Sequence, residues 1–255
     1  MKLPVVAKPD NGVGASKTYK ISTKAELEAF FDEPRTVPYI FEEFISGQVF
    51  TFDGITDASG ELVFYVSHVY NQGIMETVNN SDHVYYYSLR DIPKDLEEAG
   101  RKVLKAYDIR SRFFHLEFFR TTKDKKIVAL EVNMRPPGGL TTDMMNYANN
   151  VDVYREWANI VVKDTFTAKY DRPYHVCYTS RKFNKHYSHA HDEVLQTLGK
   201  SIAHWEIMPA AYRDAIGDYA YLLRSTDEAE IKKMAAYIHE QVGIAPMAVA
   251  STVGG

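Results

Sequence analysis

Two extended segments joined by a short turn constrain the fold of this chain most strongly. Residues 111–121 and 126–134 have strand-like composition, and the turn at 122–125 makes them antiparallel neighbours. Each segment carries a glutamate, Glu117 or Glu131, between large apolar residues. Because a carboxylate in such a run is seldom left unpaired, the two glutamates indicate a functional site.

Alternation along the strands predicts which polar side chains share a face. His115 lies on the same face as Glu117, and Asn133 and Arg135 lie on the same face as Glu131. If both sets point to the same side, two carboxylates and an amide converge, and such oxygen ligands suit Mg²⁺. Arg135 would then stabilise a transferring phosphoryl group. The alternative is an acidic stripe on the solvent face of a hairpin, and His115 is more simply explained as a hydrogen-bonded packing residue.

The N-terminal segment has the features of an anion-binding loop. Lys8 ends a predicted strand and precedes the loop 9–16, which contains Gly12, Gly14 and Ser16. A lysine can reach phosphate oxygens, and glycines allow consecutive backbone N–H groups to converge on an anion. The loop has no Walker A pattern. An ordinary turn between two strands is the alternative interpretation.

A pair of acids follows at the end of another predicted strand. Glu42 and Glu43 precede Ile45 in a segment whose backbone N–H and C=O groups suit the edge of an adenine ring. The alternative is a solvated strand edge.

The rest of the chain predicts an α+β fold. A linker is expected at 164–173, and a βαββα order beyond it suggests a small ferredoxin-like unit. In the last helix, Ser225 and Glu228 are the expected cap, and Val242 is expected on the core face. Helices are predicted at 24–32, 93–107, 140–148, 151–163, 190–198 and 226–242. Thr23, with Glu26 three residues later, predicts a capping box at the start of the first of these helices.

Composition excludes several classes of function. A formal net charge of -4 does not predict the positively charged surface that binds nucleic acid. The sequence shows no membrane-length apolar run and no secretory signal, so we expect a cytoplasmic protein with no membrane partner. A single cysteine, Cys177, excludes an intramolecular disulfide and predicts a small core residue. The cluster of His186, His189 and His191 is interpreted as a solvated loop before a helix.

The order of these motifs resembles the ATP-grasp superfamily. The similarity covers about residues 3–150 and is closest to the group that includes carbamoyl-phosphate synthase large chains, biotin carboxylase and amino-acid ligases. It implies a partial ATP-grasp lid subdomain at 1–45 and a core with a metal site at 46–165. The α+β pattern beyond the linker adds a C-terminal accessory unit at 174–255. The motifs that carry the resemblance are VVAKPDNGVGAS, FEEFISG, HLEF and EVNMRPPGG.

The resemblance also implies roles for individual residues. Lys8 corresponds to a lysine that contacts the nucleotide phosphates, and Arg135 to a basic residue that faces the transferring phosphate. Glu117 and Glu131 correspond to carboxylates that bridge the metal, and Asn133 completes that site. The closing loop corresponds to Gly12, Gly14 and Ser16, and the adenine-reading linker to Glu42, Glu43 and Ile45.

The implied reaction consumes ATP with Mg²⁺ or Mn²⁺ to convert a carboxylate into an acyl phosphate, which an amine then captures. Small-molecule carboxylate and amine substrates are therefore the expected partners, and a homodimer is one expected assembly. The alternatives are bicarbonate activation, as in carbamoyl-phosphate synthase or biotin carboxylase, and a non-catalytic ATP-binding module. The chain departs from the family pattern at Gln48, where an acidic residue is usual, and it is expected to lack the family's N-terminal subdomain.

Overall fold

A computed structural model describes residues 2–10, 17–71 and 83–243. The first part of the chain forms a small antiparallel sheet of three strands in the order β2-β1-β3, with one helix packed on it. These elements are β1 (Val5–Pro9), β2 (Tyr19–Ile21), α1 (Lys24–Asp32) and β3 (Tyr39–Glu43).

The predicted capping box at the start of α1 is present in a slightly shifted form. The Thr23 side chain accepts a hydrogen bond from the backbone N–H of Glu26, as an N-cap residue does. The Glu26 carboxylate accepts from the backbone N–H of Ser22, one residue before the cap. Phe30 on the same helix is buried against the small sheet, so the helix and the sheet form one unit.

The remaining strands of the described residues form one antiparallel sheet of nine strands, in the order β11-β12-β10-β7-β6-β4-β8-β9, with β5 also paired to β4. The strand β4 is long and central, and each of its residues pairs with β8. The strands are β4 (Gly47–Thr56), β5 (Leu62–Val66), β6 (His68–Tyr70), β7 (Tyr85–Ser88), β8 (Arg112–Thr121), β9 (Ile127–Asn133), β10 (His175–Arg181), β11 (Ile202–Ile207) and β12 (Tyr219–Ser225).

Helices cover both faces of the large sheet. The helices α2, α5 and α7 pack on one face, and α3 and α4 pack on the other. No helix in the described ranges is both long and apolar enough to cross a bilayer. The helices that follow α1 are α2 (Lys94–Ala106), α3 (Thr141–Asn149), α4 (Val153–Lys163), α5 (His191–Leu198), α6 (Arg213–Ile216) and α7 (Glu228–His239).

The C-terminal strands extend the large sheet. The strand β10 pairs with β7 over three residue pairs and with β12 on its other side. The segment beyond 174 therefore shares a continuous sheet with the strands that carry the predicted metal site.

The last helix differs from its sequence prediction at both ends. Asp227, and not Ser225, is the N-cap, because its side chain accepts from the backbone N–H of Ala229. The helix ends at His239, so Val242 lies beyond it and is 68% exposed instead of facing the core. The prediction for Val242 was wrong because helical periodicity was continued past the point where the helix ends.

Candidate functional site

The two acidic residues of the β8–β9 hairpin face each other. Glu117 pairs directly with Glu131, and His115 pairs directly with Asn133. Residues that are directly opposite in an antiparallel pair project from the same face of the sheet. The geometric condition for a shared site, both carboxylates on one side, is therefore met.

A β-bulge in β9 produces this register. Near the turn, Phe119 pairs with Val128 and Phe118 pairs with Ala129, whereas the next pair is Glu117 with Glu131. Leu130 is thus an extra residue without its own cross-strand partner. If Leu130 instead paired with Glu117 in the register set by the turn, Glu131 would lie opposite Leu116 and project from the other face, because a shift of one residue reverses every side chain of a strand.

The donor atoms on this face fit a hard divalent cation that binds phosphate. Glu117 uses Oε1 to accept a hydrogen bond from His115 Nε2 at 3.0 Å, and Glu131 has no polar side-chain partner within the described ranges. Asn133 Nδ2 is buried and has no hydrogen-bond partner among these residues, which is costly unless a bound group satisfies it. Carboxylate oxygens that remain open to a ligand are what Mg²⁺ requires.

The proposed metal ligands, Glu117, Glu131 and Asn133, include two carboxylates. In the part of the chain that the structure describes, no group of three or more His, Cys, Asp or Glu side chains has a metal-holding arrangement. An ion held by Glu117, Glu131 and Asn133 would therefore take its other ligands from phosphate oxygens and water, as Mg²⁺ at nucleotide sites usually does.

A buried polar network lies directly behind Glu117. Asp53 on β4 is fully buried, and its Oδ1 accepts from His115 Nδ1 at 2.6 Å. Its Oδ2 accepts from His68 Nδ1 at 2.8 Å and from the Thr51 hydroxyl. Because a buried carboxylate is tolerated only when its oxygens are satisfied, these partners account for its presence in the sheet.

The electrostatics of this network favour an ion pair. Burial alone would raise the pKa of Asp53, but the charge of His115 and hydrogen bonds from both histidines lower it to about 2. Burial alone would lower the pKa of His115, but the charge and hydrogen bond of Asp53, with those of Glu117, raise it to about 10. Both shifts place an imidazolium between two carboxylates at neutral pH.

Beside this network, a row of polar residues crosses five neighbouring strands. The row begins at an exposed position on the edge strand β9 and runs into the buried part of the sheet. His68 Nε2, at its buried end, has no hydrogen-bond partner among the described residues. The residues of the row are Glu131, Glu117, Thr51, His68 and Ser88.

Thr51, Asp53 and His68 are not among the residues predicted from the sequence. The signal was present, because Thr51 and Asp53 alternate with aromatic residues along β4 and therefore share one face. Asp53 and His115 are 62 residues apart in the sequence, so only the pairing of β4 with β8 brings them together.

The predicted nucleotide residues of the small sheet are only partly described. Lys8 Nζ lies 2.7 Å from Glu42 Oε2, and the two side chains are diagonal neighbours on β1 and β3. Glu43 ends β3, and Ile45 lies in the connection between the two sheets. Three predicted residues, Gly12, Gly14 and Ser16, lie outside the described residues.

Arg135 does not lie on the strand that was expected to orient it. The strand β9 ends at Asn133, and Arg135 is exposed in the connection to α3, where its Nη1 donates to the carbonyl oxygen of Pro136 at 3.0 Å. Strand alternation therefore does not determine where its side chain points, and its catalytic role stays a prediction.

The histidine cluster before α5 is more ordered than expected. His189 lies between Glu193 and Glu240, with nitrogen–oxygen distances of 2.8 and 3.1 Å, and His191 Nδ1 lies 2.8 Å from the Tyr221 hydroxyl. These contacts tie the start of α5 to the residue that caps the C-terminal end of α7 and to β12. Cys177 is fully buried, as expected for a small core residue.

Comparisons with known proteins agree with this architecture. The solved L-amino acid ligase from Bacillus licheniformis is 14% identical, with a TM-score of 0.67 over 92% of this chain and 61% of that chain. The N5-carboxyaminoimidazole ribonucleotide synthetase from Thermus thermophilus is 16% identical, with a TM-score of 0.66 over 97% and 64%. The biotin carboxylase from Campylobacter jejuni, solved as a β,γ-ATP complex, is 14% identical, with a TM-score of 0.60 over 91% and 57%.

The chain thus spans about three fifths of the length of these solved structures, and at such identities the likeness concerns the fold. Comparison with curated proteins found no match. The family model described as the ATP-grasp domain matches residues 1–143, which include every residue predicted here to bind nucleotide or metal. The match covers more than half of the sequence and ends just after the β8–β9 hairpin, and the chain therefore belongs to the ATP-grasp domain family.

Proposed function

We propose that this chain is the nucleotide- and metal-binding part of an ADP-forming carboxylate–amine ligase. The observation that carries the proposal is the direct pairing of Glu117 with Glu131 on one face of the sheet. Membership of the ATP-grasp domain family supports ATP as the nucleotide.

In the proposed reaction, a carboxylate oxygen of the first substrate attacks the γ-phosphorus of ATP, and the bond to the leaving ADP breaks. The amine of the second substrate then attacks the acyl carbon, phosphate leaves, and the amine nitrogen loses a proton. Bound Mg²⁺ would supply neutralisation of the phosphate charge. The protein contributes mainly positioning and electrostatic stabilisation.

The proposed roles follow the position of each residue. Glu117, Glu131 and Asn133 hold the metal, and Lys8 contacts the phosphates after leaving Glu42, its partner in this structure. Arg135 stabilises the transferring phosphoryl group from the exposed connection after β9. We propose that the substrates are small molecules and that the protein acts in the cytoplasm, where ATP and Mg²⁺ are available.

Binding and turnover can be measured separately on the 255-residue chain. We expect ATP to raise the unfolding temperature in the presence of Mg²⁺ and much less in EDTA, since a ligand that binds only the folded state stabilises it by RT ln(1 + [L]/Kd). We expect ADP release from ATP only when both a carboxylate and an amine from a substrate panel are added. Absence of any Mg²⁺-dependent ATP binding would overturn the proposal.

The turnover measurement separates the alternatives. ADP release that requires bicarbonate in place of an organic carboxylate would assign the chain to bicarbonate activation. Mg²⁺-dependent ATP binding without ADP release under any condition would assign it to the non-catalytic nucleotide-binding modules.

A further inference from the structure

His115 contacts a carboxylate with each of its two ring nitrogens. Its Nδ1 lies 2.6 Å from Asp53 Oδ1, and its Nε2 lies 3.0 Å from Glu117 Oε1. Because an ionised carboxylate only accepts hydrogen bonds, both nitrogens act as donors in this arrangement. The imidazole is thereby fixed between a buried anchor and a residue that faces the proposed metal site.

The anchor is rigid because each oxygen of Asp53 has a partner. Oδ1 accepts from His115, and Oδ2 accepts from His68 and from Thr51. Asp53 is fully buried on the long central strand β4, whose residues pair continuously with β8. Movement of the Asp53 carboxylate would leave a buried charge unpaired, which is strongly unfavourable.

The hydrogen bonds that begin at Asp53 and pass through His115 end at the carboxylate of Glu117. Its side chain is 16% exposed, whereas that of His115 is 8% exposed, so the contact joins the interior to the edge of the site. The hydrogen bond occupies Oε1, and Oε2 has no partner among the described residues.

We propose that His115 is a positioning residue for the divalent cation site. Through Asp53 it holds Glu117 in one orientation, so that one carboxylate oxygen is committed to the imidazole and the other is presented to the cation. This proposal rests on the proposed function, because it requires Glu117 to be a metal ligand. Partners behind a ligand that fix its orientation typically contribute about 10- to 100-fold to metal affinity.

A second His-x-Glu pair in the same protein provides a control. His204 and Glu206 on β11 have the same spacing, and His204 Nε2 lies 3.1 Å from Glu206 Oε2. Both side chains are more than one third exposed, and β11 is at the far edge of the large sheet from β9. Substitutions of His204 therefore report what the loss of a strand histidine does in general.

Two substitutions of His115 separate its two contacts. In His115→Asn, the amide nitrogen takes the place of Nδ1, so the hydrogen bond to Asp53 is kept and the hydrogen bond to Glu117 is lost. In His115→Gln, the amide nitrogen takes the place of Nε2, so the hydrogen bond to Glu117 is kept and the hydrogen bond to Asp53 is lost. The Kd of Mn²⁺ in the presence of saturating ATP is measured by electron paramagnetic resonance for both variants, for His204→Asn and His204→Gln, and for the wild-type chain.

We expect His115→Asn to raise the Kd of Mn²⁺ by about 10- to 100-fold, His115→Gln to raise it by clearly less, and both His204 variants to match the wild type. An unchanged Kd in His115→Asn, or a larger effect of His115→Gln than of His115→Asn, would overturn the proposal. Circular dichroism and ATP binding in EDTA check that each variant is folded.

If His115→Asn does not fold, Asp53→Asn tests the same chain of contacts and is expected to weaken Mn²⁺ binding in the same direction; an unchanged Kd overturns the proposal. Failure of the proposed function has a different signature. A wild-type chain that binds no Mn²⁺ with ATP, or binds it equally well after Glu117→Gln and Glu131→Gln, would overturn both proposals. Loss of binding in those two variants with no effect at His115 would overturn the positioning role alone.

Discussion

Glu131 lies directly opposite Glu117 because β9 contains one residue more than β8 between the turn and this pair. The extra residue, Leu130, shifts the register by one and brings the second carboxylate to the face that already holds the first. A bulge beside a functional site commonly re-aims a side chain in this way.

Deletion of Leu130 tests the role of the bulge. We expect the deletion to leave a regular ladder in which Glu131 still pairs with Glu117, because it removes only the residue without a cross-strand partner, so Mg²⁺-dependent ATP binding should be retained. Deletion of Ala129 and Leu130 together should instead pair Glu131 with Phe118, turn Glu131 and Asn133 to the other face and abolish binding. Both variants are compared by calorimetric titration with ATP and Mg²⁺, and retained binding after the double deletion would refute the shared face as the basis of the site.

Neutralising one carboxylate tests the metal assignment. Glu131→Gln should remove the stabilisation that Mg²⁺ adds to ATP, which amounts to about 2.7 kcal/mol at a ligand concentration of about 100 Kd. The readout is the unfolding temperature with ATP, with and without Mg²⁺. Glu61→Gln, at an exposed position before β5, is the matched control and should behave as the wild type. A full Mg²⁺ effect in Glu131→Gln would exclude this residue as a ligand.

The Lys8–Glu42 ion pair permits a separate test of the phosphate contact. Lys8→Gln and Glu42→Gln both break the ion pair, and because both side chains are partly exposed each should change the free energy of unfolding by less than about 1 kcal/mol. Only Lys8→Gln should weaken ATP binding, since Glu42→Gln leaves the lysine free for phosphate. Calorimetric titration with ATP measures this difference, and equal affinities in the two variants would remove Lys8 from the nucleotide site.

The ion pair between Asp53 and His115 predicts a specific pH dependence of stability. The pKa of His115 rises from 6.5 to about 10, so its contribution is fully present below pH 6.5 and is lost as the pH rises through 10. The pKa of Asp53 falls from 3.8 to about 2, so its contribution is present above pH 3.8 and is lost as the pH falls through 2.

Between pH 6.5 and 10, the free energy of unfolding of the wild type should therefore fall relative to that of His115→Gln by about 1.4 kcal/mol per pH unit. Urea unfolding at a series of pH values measures the gap between the two proteins. A gap that stays constant over this range would show that His115 carries no extra proton in the folded state.

Gly100 on α2 offers a test that separates stability from metal binding. A methyl group at this position would overlap the ring of Phe52, which packs on the face of the sheet opposite to Asp53. Gly100→Ala should lower the free energy of unfolding by about 1–3 kcal/mol through overpacking, with an unchanged Kd for Mn²⁺. Glu98→Ala, exposed on the same helix, is the control. A changed Kd in Gly100→Ala would show that the two faces are coupled.

Much of the local structure follows from short-range patterns. The capping residue Thr23, the turn at 122–125 and the alternation around Glu117 were sufficient to predict α1 and the β8–β9 hairpin. These features depend on interactions between residues a few positions apart, and such interactions are visible in a sequence. The family resemblance, which rests on the order of local motifs, is confirmed by the match to residues 1–143.

The tertiary structure decided the features that depend on strand pairing across long stretches of chain. The bulge at Leu130 determines the face of Glu131, β7 pairs the C-terminal strands with the large sheet, and β4 places Asp53 behind His115. Each of these arrangements is the outcome of competition between whole registers, and its free energy comes from packing both faces of the sheet. The sequence limits which residues can form such contacts. Which of them form depends on the strand register that has the lowest free energy in the whole sheet.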